Sequence, residues 1–279
     1  MKKVLALILA IVSVFSILAL AGCGDHGAEA DANNQGTTVK PEITAADKSG
    51  DIADIQKKGK IVVGITEYPP MNYKDEKGNW TGFDTELTQA FAKKLGVNVE
   101  FVVLADWGKK FIELNSGSID CVWNGMTITD EAKKNSSVSD SYAQNSQVVV
   151  LPADKAAAVK SVEDLKAYTF AVEEGSAGQD VAESNGLKTV ASQDMAAALM
   201  EANSGACDGC IIDKTMAEAT VGTGNYKNLA VSLSLSTEEF GVSFRTGSDL
   251  TAEFNKFLAE YRENGELAKL AEKYSVEIK

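Results

Sequence analysis

Histidine is almost missing from this chain: the single one, His26, lies in a polar stretch ahead of the first strand-like run. That excludes a histidine-based triad and a histidine-ligated metal site from everything beyond residue 50. Arginine is nearly as scarce, with only Arg245 and Arg262 among 279 residues, which disfavours phosphate recognition by guanidinium groups. The net charge of −13 agrees, because an acidic body repels nucleic-acid backbones and anionic lipid. Four cysteines occur, at positions 23, 121, 207 and 210. Cys207-Asp208-Gly209-Cys210 has the spacing of a redox or zinc motif, but no second pair or nearby histidine exists to complete a metal site. The motif also runs into apolar Cys210-Ile211-Ile212 instead of opening a helix, so buried structural thiols are expected, with no disulfide framework, metal or cofactor.

What the chain does have begins with Lys2 and Lys3 and an uncharged, mostly apolar run from Val4 to Leu20. The run is slightly short for a membrane span, which needs about 20 residues. It ends in Leu20-Ala21-Gly22-Cys23, which resembles the bacterial lipobox. The resemblance implies a signal peptide over 1–22, a diacylglycerol on the Cys23 thiol, and an extracytoplasmic protein anchored to the cell membrane by its N-terminal lipid. Residues 23–50 are rich in Gly, Ala, Asp, Asn, Thr and Lys and read as a flexible tether, since they cannot bury enough surface to offset the entropy of ordering.

The remaining 229 or so residues suffice for two lobes. Apolar runs alternate with amphipathic stretches, the pattern of strands covered by helices. Strands are predicted at 60–65, 97–104 and 119–123, with helices at 84–95 (Gly96 as C-cap) and 107–115 (Asp106 as N-cap, Gly117 following). A second series begins after Pro152. It has a capping box at Ser161, strands at 169–172, 188–190 and 210–212, and helices after Gly175-Ser176 and over 194–202. The segment from Asn115-Ser116-Gly117 to Asp120 echoes that from Asn203-Ser204-Gly205 to Asp208, which suggests two related lobes. Runs 147–151 and 240–244 would form a two-strand hinge, and helices at 250–262 and 265–274 would return to the first lobe. Lobe 1 is then 51–147 with 241–279, and lobe 2 is 148–240.

Several motifs now fall in order. Gly78-Asn79-Trp80-Thr81-Gly82-Phe83-Asp84, Asn124-Gly125-Met126-Thr127-Ile128-Thr129 and Ser139-Asp140-Ser141-Tyr142 lead the series. Glu163-Asp164-Leu165-Lys166, Glu174-Gly175-Ser176, Ile211-Ile212-Asp213 and Phe240-Gly241-Val242-Ser243-Phe244 continue it. The set resembles the polar amino-acid family (family 3) of bacterial extracellular solute-binding proteins, over about residues 55–279. The resemblance implies a type II periplasmic-binding-protein fold: α/β, each lobe a mixed sheet flanked by helices. It also implies a monomer that delivers a small ligand to an ABC transporter permease.

Open α/β sheets bind ligands beyond the carboxyl ends of their strands, and the candidates lie there. The resemblance assigns ligand contact to Tyr68, Trp107, Asn124, Gly125 and Thr127 in the first lobe and to Gly175, Ser176 and Asp213 in the second. Asp213 ends an apolar strand, where a carboxylate is costly to desolvate unless paired, so a ligand ammonium is a natural partner. Gly175 and Ser176 open a helix, whose free N–H groups attract an anion. Each has a plainer reading as well: a loop aromatic for Tyr68, core for Trp107, a helix cap for Ser176 and Asp213. Glu67 and Glu174 are candidates for reading a side chain, and Trp123 is expected in the core.

One departure stands out. The family usually carries a carboxylate-binding arginine three positions after the Thr129 equivalent, and here that residue is Ala132; Ala177 likewise replaces a threonine. Lys133 could substitute, or backbone N–H groups and Thr127 could suffice. Alternatively, the ligand is an amine or another zwitterion rather than a standard amino acid. A dehydratase-like enzyme on the same fold is a further alternative, though no histidine and no nucleophile with an adjacent base is available. A sensor fusion is not expected, since the sequence has no second span.

Overall fold

The computed structural model describes residues 50–278. The predicted signal peptide, nearly all of the tether and the lipidation site at Cys23 lie outside them.

Lys-Ile-Val-Val-Gly-Ile is too apolar to face water on either side, and it becomes central strand β1 (Lys60–Ile65), buried from Ile61 onward. A small hairpin follows, β2 (Tyr73–Lys74) and β3 (Trp80–Thr81). Strands β4 (Asn98–Val103) and β5 (Cys121–Thr127) then lie parallel to β1 on its two sides. Short strands β6 (Ser137–Val138) and β7 (Ala143–Asn145) come next. The chain then builds a second sheet from β8 (Gln147–Pro152), β9 (Thr169–Glu173), β10 (Lys188–Ser192), β11 (Gly209–Asp213) and β12 (Leu229–Ser234). Finally β13 (Glu238–Phe244) returns to the first sheet, antiparallel to β5. The orders are β4-β1-β5-β13-β6, with β7 also on β13, and β10-β9-β11-β8-β12. In each sheet the first strand of a parallel trio sits between the other two, and one antiparallel strand, β13 or β8, pairs with the third. Both sheets are mixed and flanked by helices.

The short internal echo has a structural counterpart. The helices Lys110–Ser116 and Met195–Ser204 stop at Gly117 and Gly205, whose φ values of 82° and 80° favour glycine. Asp120 then donates its N–H to the Val62 carbonyl and accepts the Val62 N–H, both at 2.7 Å. Asp208 does the same with Thr169, both at 3.0 Å. In both sheets an aspartate ties the incoming strand to its parallel neighbour.

Two segments carry the chain between sheets: Ser146, and residues 235–237. The second bonds to the residue that follows the first, since Gln147 O accepts from Leu235 N–H (2.8 Å) and Gln147 N–H donates to Ser236 Oγ (2.9 Å). Each expected hinge strand therefore lies wholly within one sheet. Gln147 belongs to the second sheet and Glu238–Phe240 to the first, so the crossings fall at 146 and 235–237 rather than after 147 and 240. The helix Asp51–Lys58 was not foreseen, because Ile55 is its only fully buried side chain and leaves little periodic signal. The C-terminal helices Asp249–Glu263 and Glu266–Tyr274 pack on the first sheet. There Phe254 meets Trp123 edge-on at 4.9 Å, with Trp123 fully buried as the strand alternation predicts.

Candidate ligand site between the sheets

The carboxyl ends of β5, β9 and β11 converge on a cavity between the sheets. Trp107, Asn124, Gly125, Thr127, Gly175, Ser176 and Asp213 line it. Of the nine expected site residues, only Glu67 and Tyr68 do not. Glu67 is exposed, as is Glu174. Tyr68 is fully buried behind the wall, with its ring against Gly125.

Asp213 is 4% exposed at the end of β11. It occupies the cap position of the helix Lys214–Thr220 without capping it. Asn145 does that instead, its Oδ1 accepting from Thr215 N–H (3.3 Å) and Oγ1 (3.1 Å). The Asp213 carboxylate is thereby free to face the cavity, held by Asn145 Nδ2 (2.9 Å) and Gln147 Nε2. Burial, then the charge of Glu238, pushes its pKa to about 7. The Tyr68 hydroxyl lies close enough to favour the charged form, yet outside good hydrogen-bond geometry.

On the first-sheet side, Asn124, Gly125 and Thr127 belong to β5 itself rather than to a turn beyond it. The pairing of β13 slips between Gly241 and Ser243, and Gly125 opposite takes φ 56°. A Cβ there would come within 2.6 Å of the Tyr68 ring, so the close approach requires glycine. The Gly125 N–H is already given to Asp84 Oδ2 (2.6 Å), which also accepts from the Tyr142 hydroxyl (2.9 Å). Burial pushes the Asp84 pKa to about 7. The Asn124 amide meets Thr66 at 2.7 Å and Asn72 at 2.9 Å, and Thr127 Oγ1 donates to Glu238 Oε1 (2.9 Å). These residues brace the wall through a buried polar network.

On the second-sheet side, Ser176 Oγ accepts the Gln179 N–H (3.1 Å), so the serine does cap its helix, Ala177–Ser184. Gly175 has φ 70°, and a Cβ on it would lie 2.4 Å from Gly108 Cα, so the two walls touch here. Glu173, one residue before the expected Glu174, is the buried carboxylate: it is 2% exposed and its Oε1 has no hydrogen-bond partner. Burial, with the charges of Asp213 and Asp194, pushes its pKa well up, while Lys110 opposes this.

Lys110, Gln147, Glu173 and Met195 line the cavity without having been anticipated. Lys110 did leave a signal. It interrupts an otherwise apolar stripe of Trp107, Phe111 and Leu114, all buried, at helical spacing. Ala132 lines the cavity as the departure implied, whereas Lys133, its suggested substitute, is exposed and does not. Gln147 and Glu173 carried no such mark, because a polar residue at a strand end reads as the onset of a loop.

Residues 61–277 match the profile of bacterial extracellular solute-binding proteins, family 3. The chain belongs to that family. It is 34% identical over 238 residues to the arginine-binding extracellular protein ArtP of Bacillus subtilis, covering 83% of this chain and 92% of that one. It is 33% identical over 279 residues to the L-cystine-binding protein TcyA of the same species, covering 98% and 97%. Among solved structures, the ancestral amino acid-binding protein AncCDT-1, a precursor of cyclohexadienyl dehydratase, superimposes with a TM-score of 0.74. The two are 33% identical, with 80% of this chain and 98% of that one covered. As a member of an extracellular family, the protein works outside the cytoplasm.

Proposed function

We propose that this protein is the lipid-anchored substrate-binding component of an ABC importer and that it captures an amino acid. Two lobes, residues 51–146 with 238–278 and residues 147–237, close on the ligand about the crossing segments. The observation that carries the reading is Asp213, a buried carboxylate at a strand end that lines the cavity. It is held by amides and takes part in no ion pair among the described residues. A buried anion without a cation is unfavourable, and a ligand ammonium supplies one. Thr127 lines the same cavity from the other sheet, so a ligand between them touches both lobes only when they are closed. That differential contact shifts the open–closed equilibrium. The names of the relatives, arginine-binding and cystine-binding, support an α-amino acid. The Leu20-Ala21-Gly22-Cys23 sequence supports the lipid anchor.

The test is a thermal-shift screen across amino acids and amines, repeated on Asp213→Ala. At least one amino acid should raise the wild-type melting temperature and leave the variant unmoved. An equal shift in both proteins, or none from any amino acid, removes the reading. Ala132 favours a second reading, an amine without a carboxylate, and the same screen includes that class.

A further inference from the structure

Lys110 is a buried cation without an anion. It is 5% exposed, lines the cavity, and takes part in no ion pair among the described residues. Its Nζ donates to the Gly175 carbonyl at 2.9 Å and, at 3.4 Å, to the carbonyl of Trp107. The same atom lies 4.9 Å from the centre of the Phe111 ring and 5.2 Å from that of Trp107. An ammonium has three N–H donors, so two neutral carbonyls leave one donor free and no anion in direct contact. Removing such a charge from water is costly unless a counter-ion joins it. Burial accordingly lowers its pKa, while the carboxylates of Glu131, Glu173, Asp180 and Asp106 work to keep it charged.

Among the described residues Lys110 is the one cation lining the cavity, beside the carboxylates of Asp213, Glu173, Glu131 and Asp180, and neither Lys110 nor Asp213 takes part in an ion pair. An α-amino acid carries the complementary pair. Among the described residues no other cation lines the cavity to take the carboxylate. Arg245 is engaged with Asp51, Asp120 and the Ile119 carbonyl, Arg262 with the Ser141 carbonyl, and Lys133 is exposed outside the cavity.

We propose that Lys110 is the anchor for the ligand's α-carboxylate, so that the site selects molecules with a free carboxylate as well as an ammonium. The proposal rests on the reading of the cavity as an amino-acid site and deepens it. Because Lys110 already bridges to Gly175 on the opposite wall, a carboxylate on its third donor would add to the same bridge.

The experiment pairs each amino acid with its own carboxamide. L-arginine, L-lysine, L-histidine and L-glutamine, each beside its amide, together with L-cystine beside cystamine, are titrated by calorimetry into wild type, Lys110→Met, Lys110→Gln and Lys110→Arg. For the acid that binds, wild type should prefer it to its carboxyl-free partner by about 30-fold or more, the range for losing one partner of a buried charge pair. Lys110→Arg should keep most of that preference. Lys110→Met and Lys110→Gln should shrink it to about threefold or less, the second standing in should the first fail to fold. A wild-type preference that survives in both neutral variants overturns the proposal. So does an equal loss of affinity for acid and amide, which would make Lys110 only a latch to Gly175. Wild-type binding of amides or cystamine alone refutes the carboxylate anchor yet leaves an amine site, whereas no binding by any member removes the proposed function and this assignment with it.

Discussion

Asp213 and Glu238 accept hydrogen bonds from the same two amides. Asn145 Nδ2 reaches Asp213 at 2.9 Å and Glu238 at 2.6 Å, and Gln147 Nε2 reaches both as well, Glu238 at 2.7 Å. Asn145 and Gln147 flank Ser146, where the chain passes between sheets, and Glu238 begins the strand that follows the return crossing. The carboxylate that faces the cavity is therefore oriented by residues at and beside the crossing segments. Burial first, and then the nearby Glu238 charge, raises the pKa of Asp213.

Ligand affinity should depend on pH through Asp213. With its pKa near 7 in the unliganded protein, the group is largely protonated below pH 7 and must ionise to meet an ammonium. Affinity is expected to level off near pH 8 and to fall roughly tenfold per pH unit well below 7, as linkage of one proton requires. Glu238→Gln removes the repelling charge and should move the midpoint to lower pH. Calorimetry in buffers of different ionisation heat reads both the affinity and the released proton; a constant affinity from pH 5 to 8 would contradict this.

Asp213→Asn should abolish ligand-induced stabilisation without lowering the melting temperature of the unliganded protein at pH 8. A carboxyl whose folded pKa is raised contributes stability below its unfolded pKa and loses it as pH rises through 7. At pH 8 the buried charge is thus unfavourable, and an amide that still accepts from Asn145 and Gln147 relieves it. A drop of several degrees would show instead that the charge holds the network together.

Asp84 makes a separate contribution to pH-dependent stability. Its pKa, raised by burial to about 7, means that the folded protein binds a proton between about pH 4 and 7 that the unfolded chain releases. Stability should fall across that window by roughly a few kcal/mol from this group. Urea unfolding at pH 5 and pH 8 should show the wild type weaker at pH 8, and Asp84→Asn should narrow the gap. An unchanged gap would place the proton elsewhere.

Gly175→Ala should weaken ligand binding at least tenfold. It places a Cβ 2.4 Å from Gly108 Cα and adds the penalty of a left-handed φ, about 1–2 kcal/mol. Gly108→Ala is the milder partner, since its Cβ would stand 3.8 Å from Gly175 Cα and its nearest neighbour is the Asp106 carboxylate at 3.1 Å. Calorimetry on the two variants compares them, and wild-type affinity in Gly175→Ala would mean that the walls need not approach this closely.

Several features were legible because they are local. Apolar runs with helical or strand period, glycines after helices and an aspartate before each buried strand depend only on neighbours along the chain. They located the strands, the matched Gly117 and Gly205 stops, and the strand-end position of Asp213. Thr127, Gly175 and Ser176, which the family resemblance assigns to ligand contact, line the cavity as well. Lys110 was half legible, as a charge on an apolar stripe, yet nothing nearby in the sequence said that the stripe faces a cavity. The choice of Glu173 over Glu174, the exposure of Glu67, and the sharing of Asn145 and Gln147 between Asp213 and Glu238 were settled by tertiary packing alone. Each depends on how one sheet approaches the other, across separations of tens of residues, and burial at that junction comes from the far side of the cleft rather than from the chain's own neighbours.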